Sequence, residues 1–149
     1  MITTSTLPLD GTGKATFPLP ASLTPGAYPL SVAYAGTDTV APSSTTATYT
    51  VTKAEPTLSA TVVKVKVPKK KGKKAVATVS VTVAGVSGVA GPGGTVTITW
   101  GAVTTTVPVP ASGVVTLKVA KKKANPDTVQ VAYSGDAHYT GGGVSAPLS

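Results

Sequence analysis

The chain contains no cysteine and no arginine, a single histidine, and one residue each of phenylalanine, tryptophan and methionine. Without cysteine there is neither a disulfide framework nor a thiolate metal site, and the redox compartment is left open. Without arginine, the net charge of +8 rests on lysine alone. Lysine lacks the planar fork that reads bases or grips phosphates bidentately. The aromatics do not interleave with the lysines as a stacking platform requires, so nucleic acid is not an expected partner, although the basic balance raises the question. Only five side chains are acidic, and their scatter through turn sequences leaves no pair to hold across a cleft for glycosidase-type chemistry. No apolar run approaches the roughly 20 residues of a membrane span. Met1 is followed by a Thr-rich, strand-like stretch rather than a signal peptide, so any export signal is expected to lie outside this chain. Apolar residues at i, i+3, i+4 and i+7 are also missing, which argues against amphipathic helices.

Valine and threonine in short alternating runs are present instead, separated by 16 glycines and 13 prolines. This pattern suits half-buried pleated strands and predicts an all-β chain. Segments also recur. Ile2–Leu9 resembles Val103–Val109, Gly13–Leu19 resembles Gly113–Val119, and Val32–Gly36 resembles Val131–Gly135. The offset is 100 residues and then 99, a period that fits one immunoglobulin-sized sandwich.

Seven strands are predicted for the second copy: Thr57–Val67, Ala75–Ala84, Thr95–Trp100, Val103–Val109, Val114–Ala120, Thr128–Tyr133 and Val144–Leu148. In the first of them the apolar phase changes from Leu58, Ala60 and Val62 to Val63, Val65 and Val67, which points to a bulge or a sheet switch. Ala77, Val79, Val81 and Val83 should share one face, as should Val96, Ile98 and Trp100. The first copy is expected to hold only the last four strands, Thr3–Leu9, Lys14–Leu19, Tyr28–Tyr34 and Thr45–Thr52, joined by a linker at Lys53–Pro56. The division expected is therefore an incomplete repeat over 1–53 and a complete domain over 54–149. An apolar face carrying Phe17, Leu19, Leu30 and Val32 would be left uncovered, with open strand edges. Either a longer parent protein or a neighbouring chain would supply the missing strands.

The run Val131-Ala-Tyr-Ser-Gly-Asp-Ala-His-Tyr139 resembles the tail motif of bacterial Ig-like repeat domains, in which a strand ending in Tyr-x-Gly-Asp turns through a hairpin toward a further Tyr. The lysine-rich first hairpin and the Gly94-to-Thr99 strand are similar to tandem Ig-like repeats of actinobacterial-type surface proteins. The first copy departs from the motif, reading Tyr34-Ala-Gly-Thr-Asp38. The resemblance implies an Ig-like antiparallel β-sandwich, extracellular or cell-surface display, and neighbouring Ig-like repeats as partners, without implying a ligand.

Among candidate sites the lysines carry most information. Lys69, Lys70, Lys71, Lys73 and Lys74 fall in the turn between the first two strands of the second copy. Lys121, Lys122 and Lys123 fall in the turn between its fifth and sixth strands. Counting up and down through a sandwich places both turns at one pole, a candidate site for polyanions or simply solvated turn charge. Asp38, Asp127 and Asp136 read as turn formers rather than calcium ligands, because calcium takes six to eight oxygens from carboxylates close in sequence. His138 lacks an activated nucleophile and an orienting acid. The run Gly91-Pro-Gly-Gly94 lacks the lysine and helix of a phosphate loop. Trp100, Tyr133 and Tyr34 share the phase of core residues, while Tyr139 and Tyr28 are undecided. No catalytic, cofactor or metal site is expected. The function expected is a non-enzymatic spacer or adhesive module of a bacterial surface or secreted protein. Two alternatives remain: a module that binds anionic cell-wall glycan through its lysine pole, and a phage- or pilus-like assembly subunit that self-associates through residues 1–53.

Overall fold

A computed structural model describes residues 4–20, 23–69, 73–121 and 128–148. These contain nine strands: β1 (Gly26–Tyr34), β2 (Ser43–Val51), β3 (Thr57–Lys66), β4 (Ala75–Ala84), β5 (Thr95–Trp100), β6 (Val103–Pro108), β7 (Val114–Lys121), β8 (Thr128–Tyr133) and β9 (Gly142–Pro147). All pairings between them are antiparallel, in three sheets: β1-β2, β3-β4-β7 and β6-β5-β8-β9.

The two larger sheets share one core in a sandwich-like arrangement. Side chains alternate across a strand, so β4 turns Ala77, Val79, Val81 and Val83 to the inside, each 0–1% exposed. From the other sheet come Val96, Ile98, Trp100, Val129, Val131 and Tyr133, all buried. Burying one such valine or isoleucine contributes roughly 1.5–3 kcal/mol before the entropy of ordering is charged against it. The outward positions of β5 and β6 carry threonines that pair across the strands, Thr97 with Thr106 at 2.9 Å and Thr99 with Thr104 at 3.2 Å. Only two residues join these strands, since Trp100 pairs directly with Val103. Gly101 takes φ 60° there, the left-handed first turn position at which only glycine is unstrained.

The phase change in β3 is a bulge. Val62 pairs with Val79 but Lys64 pairs with Thr78, leaving Val63 as the extra residue. Its effect differs in part from the sequence expectation: Val65 returns to the inner side opposite Ala77, while Val63 and Val67 remain exposed. The bulge thereby sets Lys64 and Lys66 on the outer face.

Residues 4–20 correct the sequence expectation. The strands expected at Thr3–Leu9 and Lys14–Leu19 are not formed in the described residues, which hold only a turn at Asp10–Lys14. The segments they resemble, β6 and β7, exist because β5 and β4 pair with them, whereas no described strand pairs with residues 4–20. Pro8, Pro18 and Pro20 also remove backbone donors from the ladder. The turn itself survives because its hydrogen bonds are local. The Asp10 carboxylate Oδ1 accepts from the Thr12 amide at 2.8 Å and the Lys14 amide at 2.9 Å.

The β1-β2 hairpin follows β8-β9 residue for residue. Tyr34 faces Ser43 where Tyr133 faces Gly142, and Val32 faces Thr45 where Val131 faces Val144, each residue displaced by 99 positions. Burial differs sharply. Val131 is 3% exposed beneath the three-stranded sheet, and Val32 is 60% exposed. Tyr34, expected in a core, is only half-buried for the same reason.

Tyr133 is 3% exposed, and its hydroxyl is buried without a hydrogen-bond partner. Burial first, then the negative charge of Asp136, pushes its pKa up to about 12. A desolvated, unpaired hydroxyl destabilises the fold. Replacing it should therefore help: Tyr133→Phe should raise unfolding stability by about 1 kcal/mol, read as a higher urea midpoint at unchanged slope. A lower midpoint would show that the hydroxyl has a partner.

Candidate functional site

Two polar constellations stand at opposite ends of the β3–β9 unit. The first is the lysine end. Ala75 pairs directly with Lys121, so the start of β4 and the end of β7 lie side by side. Lys69, Lys73 and Lys74 are exposed there. Lys121 is placed by its backbone alone, and Lys70, Lys71, Lys122 and Lys123 lie outside the described residues. A shallow open hollow of about 550 Å³ sits at this end between Val65, Lys66, Val67, Pro68, Lys74 and Val76.

Three further lysines extend the charge onto the outer face of the three-stranded sheet. Lys64 pairs with Thr78, and Thr78 pairs with Lys118, so these residues form one row across β3, β4 and β7. Lys66 stands in the next row, opposite Val76. Lys64, Lys66 and Lys118 are exposed, and β3, β4 and β7 contain no acidic residue. Among the described residues none of the three forms an ion pair. Like charges about 7 Å apart in water repel by roughly 0.6 kcal/mol before salt screening, so the face stores a modest repulsion that an anion relieves. Sequence reading did not single these three out. The signal was their alternation with Val65, Leu117 and Val119, which becomes legible on β3 only once the bulge is placed.

The second constellation surrounds Asp136 in the β8-β9 turn. Its Oδ1 accepts from the amides of His138 at 2.7 Å and Tyr139 at 2.8 Å, and its Oδ2 accepts from the Gly93 amide at 2.5 Å. Asp136 is thus a turn former, and it also ties the turn to the β4-β5 loop. Thr37 performs the local part in the β1-β2 turn, where its hydroxyl accepts from the amides of Thr39 and Val40. Gly36 and Gly135 precede these residues with φ 85° and 73°. Thr37 therefore stands at the position of Asp136, 99 residues earlier, so one capping side chain replaces another and Asp38 falls one place beyond it. Tyr139, undecided from sequence, is fully buried, and its hydroxyl accepts from the Val86 amide at 3.0 Å. Tyr28 instead donates to its own neighbour, the Thr24 carbonyl, at 2.6 Å.

The linker enters this same knot. The Ala54 amide donates to the His138 carbonyl at 2.8 Å, and the Thr140 amide donates to the Ala54 carbonyl at 2.9 Å. Ala54 and Tyr139 form a parallel bridge, and the Lys53 ammonium donates to the Asp136 carbonyl at 2.5 Å. Among the described residues no three His, Asp or Glu side chains come together as a metal-binding group, and no helix is long and apolar enough to cross a membrane. No family model, curated protein or solved structure matches the chain.

Desolvation, the largest single influence on Asp136, pushes its pKa up. The amides of Gly93, His138 and Tyr139, with the charge of His138, outweigh it and hold the carboxyl below its ordinary value. A depressed folded-state pKa gives stability that is present above the unfolded value, near 3.8, and lost as pH falls through the folded value. Asp136→Asn should accordingly flatten the acid limb of the melting-temperature curve below about pH 4. Asp136→Ala should cost about 2 kcal/mol at neutral pH. An unchanged acid limb in the Asn variant would contradict this role for the carboxylate.

Proposed function

We propose that the chain is a non-enzymatic structural module, an Ig-like repeat that spaces or displays other parts of a bacterial surface or secreted protein. The observation that carries this reading is the clamping of Ala54. Between the last residue of β2 and the first of β3 lie only residues 52–56, and their middle residue is hydrogen-bonded on both sides to the β8-β9 turn. Flexible linkers are the ordinary state between units with small interfaces. A linker stitched into the following unit transmits orientation and force from one unit to the next, which is what a spacer requires.

The strand arrangement supports the Ig-like reading. One sheet holds the first, second and fifth strands of the unit and the other the third, sixth and seventh, with a buried tryptophan on the third, while the fourth strand pairs with the third rather than with the fifth as in a constant-type Ig domain. The hairpin register repeated at 99 residues supports a tandem origin. A second reading, assembly through residues 1–53, draws on the uncovered β1-β2 face and the unpaired edge of β1. Strand addition from another chain would complete both.

The spacer reading is tested across the linker. The absence of cysteine allows spin labels to be placed cleanly at Thr46→Cys on β2 and Thr106→Cys on β6. A single narrow distance distribution is expected, and Ala54→Pro, which removes the donated amide, should broaden it without unfolding either side. A broad distribution in the parent chain would contradict the spacer reading. Concentration-dependent mass in light scattering would favour assembly instead.

A further inference from the structure

We propose that the outer face of the β3-β4-β7 sheet binds a single linear polyol-phosphate chain, laid along β4 and held by Lys64 and Lys66 on one side and Lys118 on the other. This inference stands apart from the spacer reading and can fail without it.

The geometry is that of a trough one strand wide. β3 and β7 flank β4, so their outward side chains stand two strand spacings apart, about 10 Å. The lysines sit on these flanking strands and are exposed, whereas the outward residues of β4, Val76, Thr78, Ser80 and Thr82, are half-buried between them. Along β3, Lys64 and Lys66 are two residues and roughly 7 Å apart, a charge repeat that suits singly charged groups joined by short spacers. The next inward row away from the basic end is Thr61, Ser80 and Thr116, three hydroxyls in register across the sheet. Hydroxyls both donate and accept, so this row fits the hydroxyls of a polyol.

The chemistry of the rails narrows the ligand further. A lysine ammonium is a point charge with three donors, matched to a phosphodiester and not to bidentate base recognition. The three strands present no aromatic side chain for stacking nucleobases. They also lack the aromatic and leucine-rich wedge that seats a protein in a lipid interface. With no acidic residue on the face and no ion pair to these lysines among the described residues, nothing described competes with the ligand for the ammonium groups.

The test is a titration of the full chain with a glycerol-phosphate polymer at 50 and 200 mM salt. Two variants that remove equal charge are compared, Lys64→Gln/Lys66→Gln/Lys118→Gln on the face and Lys69→Gln/Lys73→Gln/Lys74→Gln in the turn. All six lysines are exposed, and unchanged thermal unfolding verifies that both variants keep the fold. Binding should weaken by about tenfold or more over this salt range, as expected for some three neutralised phosphates. The face variant should lose at least about tenfold in affinity, and the turn variant under about threefold. The proposal is overturned by an absence of binding at 50 mM salt, or by an equal loss in the two variants. It is also overturned if duplex DNA or anionic phosphatidylglycerol vesicles bind as tightly per charge as the polymer.

Discussion

Each strand of this protein has one apolar face, and only the apolar face of another sheet can cover it. That constraint organises the chain. From Thr57 onward two sheets satisfy it for each other, with the valines of β4 and the Val96, Ile98 and Trp100 face of β5 meeting in one core. The bulge at Val63 returns Val65 to that core. In the β1-β2 hairpin the same constraint goes unmet. Its register reproduces β8-β9, yet Val32 stands exposed where Val131 is buried. Backbone pairing sets the register, but it does not provide the cover.

Much of this was legible in the residues, because period-two alternation depends on local chemistry. The faces of β4, β5 and β8 follow from it directly, and so does the bulge in β3. What was not legible depended on partners. The strands expected at Thr3–Leu9 and Lys14–Leu19 carry much the same pattern as β6 and β7, but no described strand pairs with them, and a pattern without a partner does not form a ladder. Tyr139 could not be assigned because its burial comes from long-range packing into the core, with its ring end against Gly85 and its hydroxyl accepting from the Val86 amide. Lys64, Lys66 and Lys118 were hidden for a different reason. The lysine runs in the turns drew attention to sequence clustering, while these three cluster only across strands.

The two ends of the β3–β9 unit divide the physical roles. The Asp136 end is dense in hydrogen bonds, with one carboxylate holding three amides while Ala54 is stitched between His138 and Thr140. The Tyr133 hydroxyl is the exception there, buried without a partner. The lysine end is the reverse, with charge that no described residue neutralises. The linker is bonded to one end of the unit, and the unneutralised charge stands toward the other.

The clamped linker is the centre of this account, and amide hydrogen exchange on the intact chain tests it most directly. The amides of Ala54 and Thr140 should exchange slowly, with protection approaching that of the central β5 amides. Exchange at the rate of an unstructured peptide, while β5 remains protected, would mean that the linker is free and that the two parts of the chain are not mechanically joined.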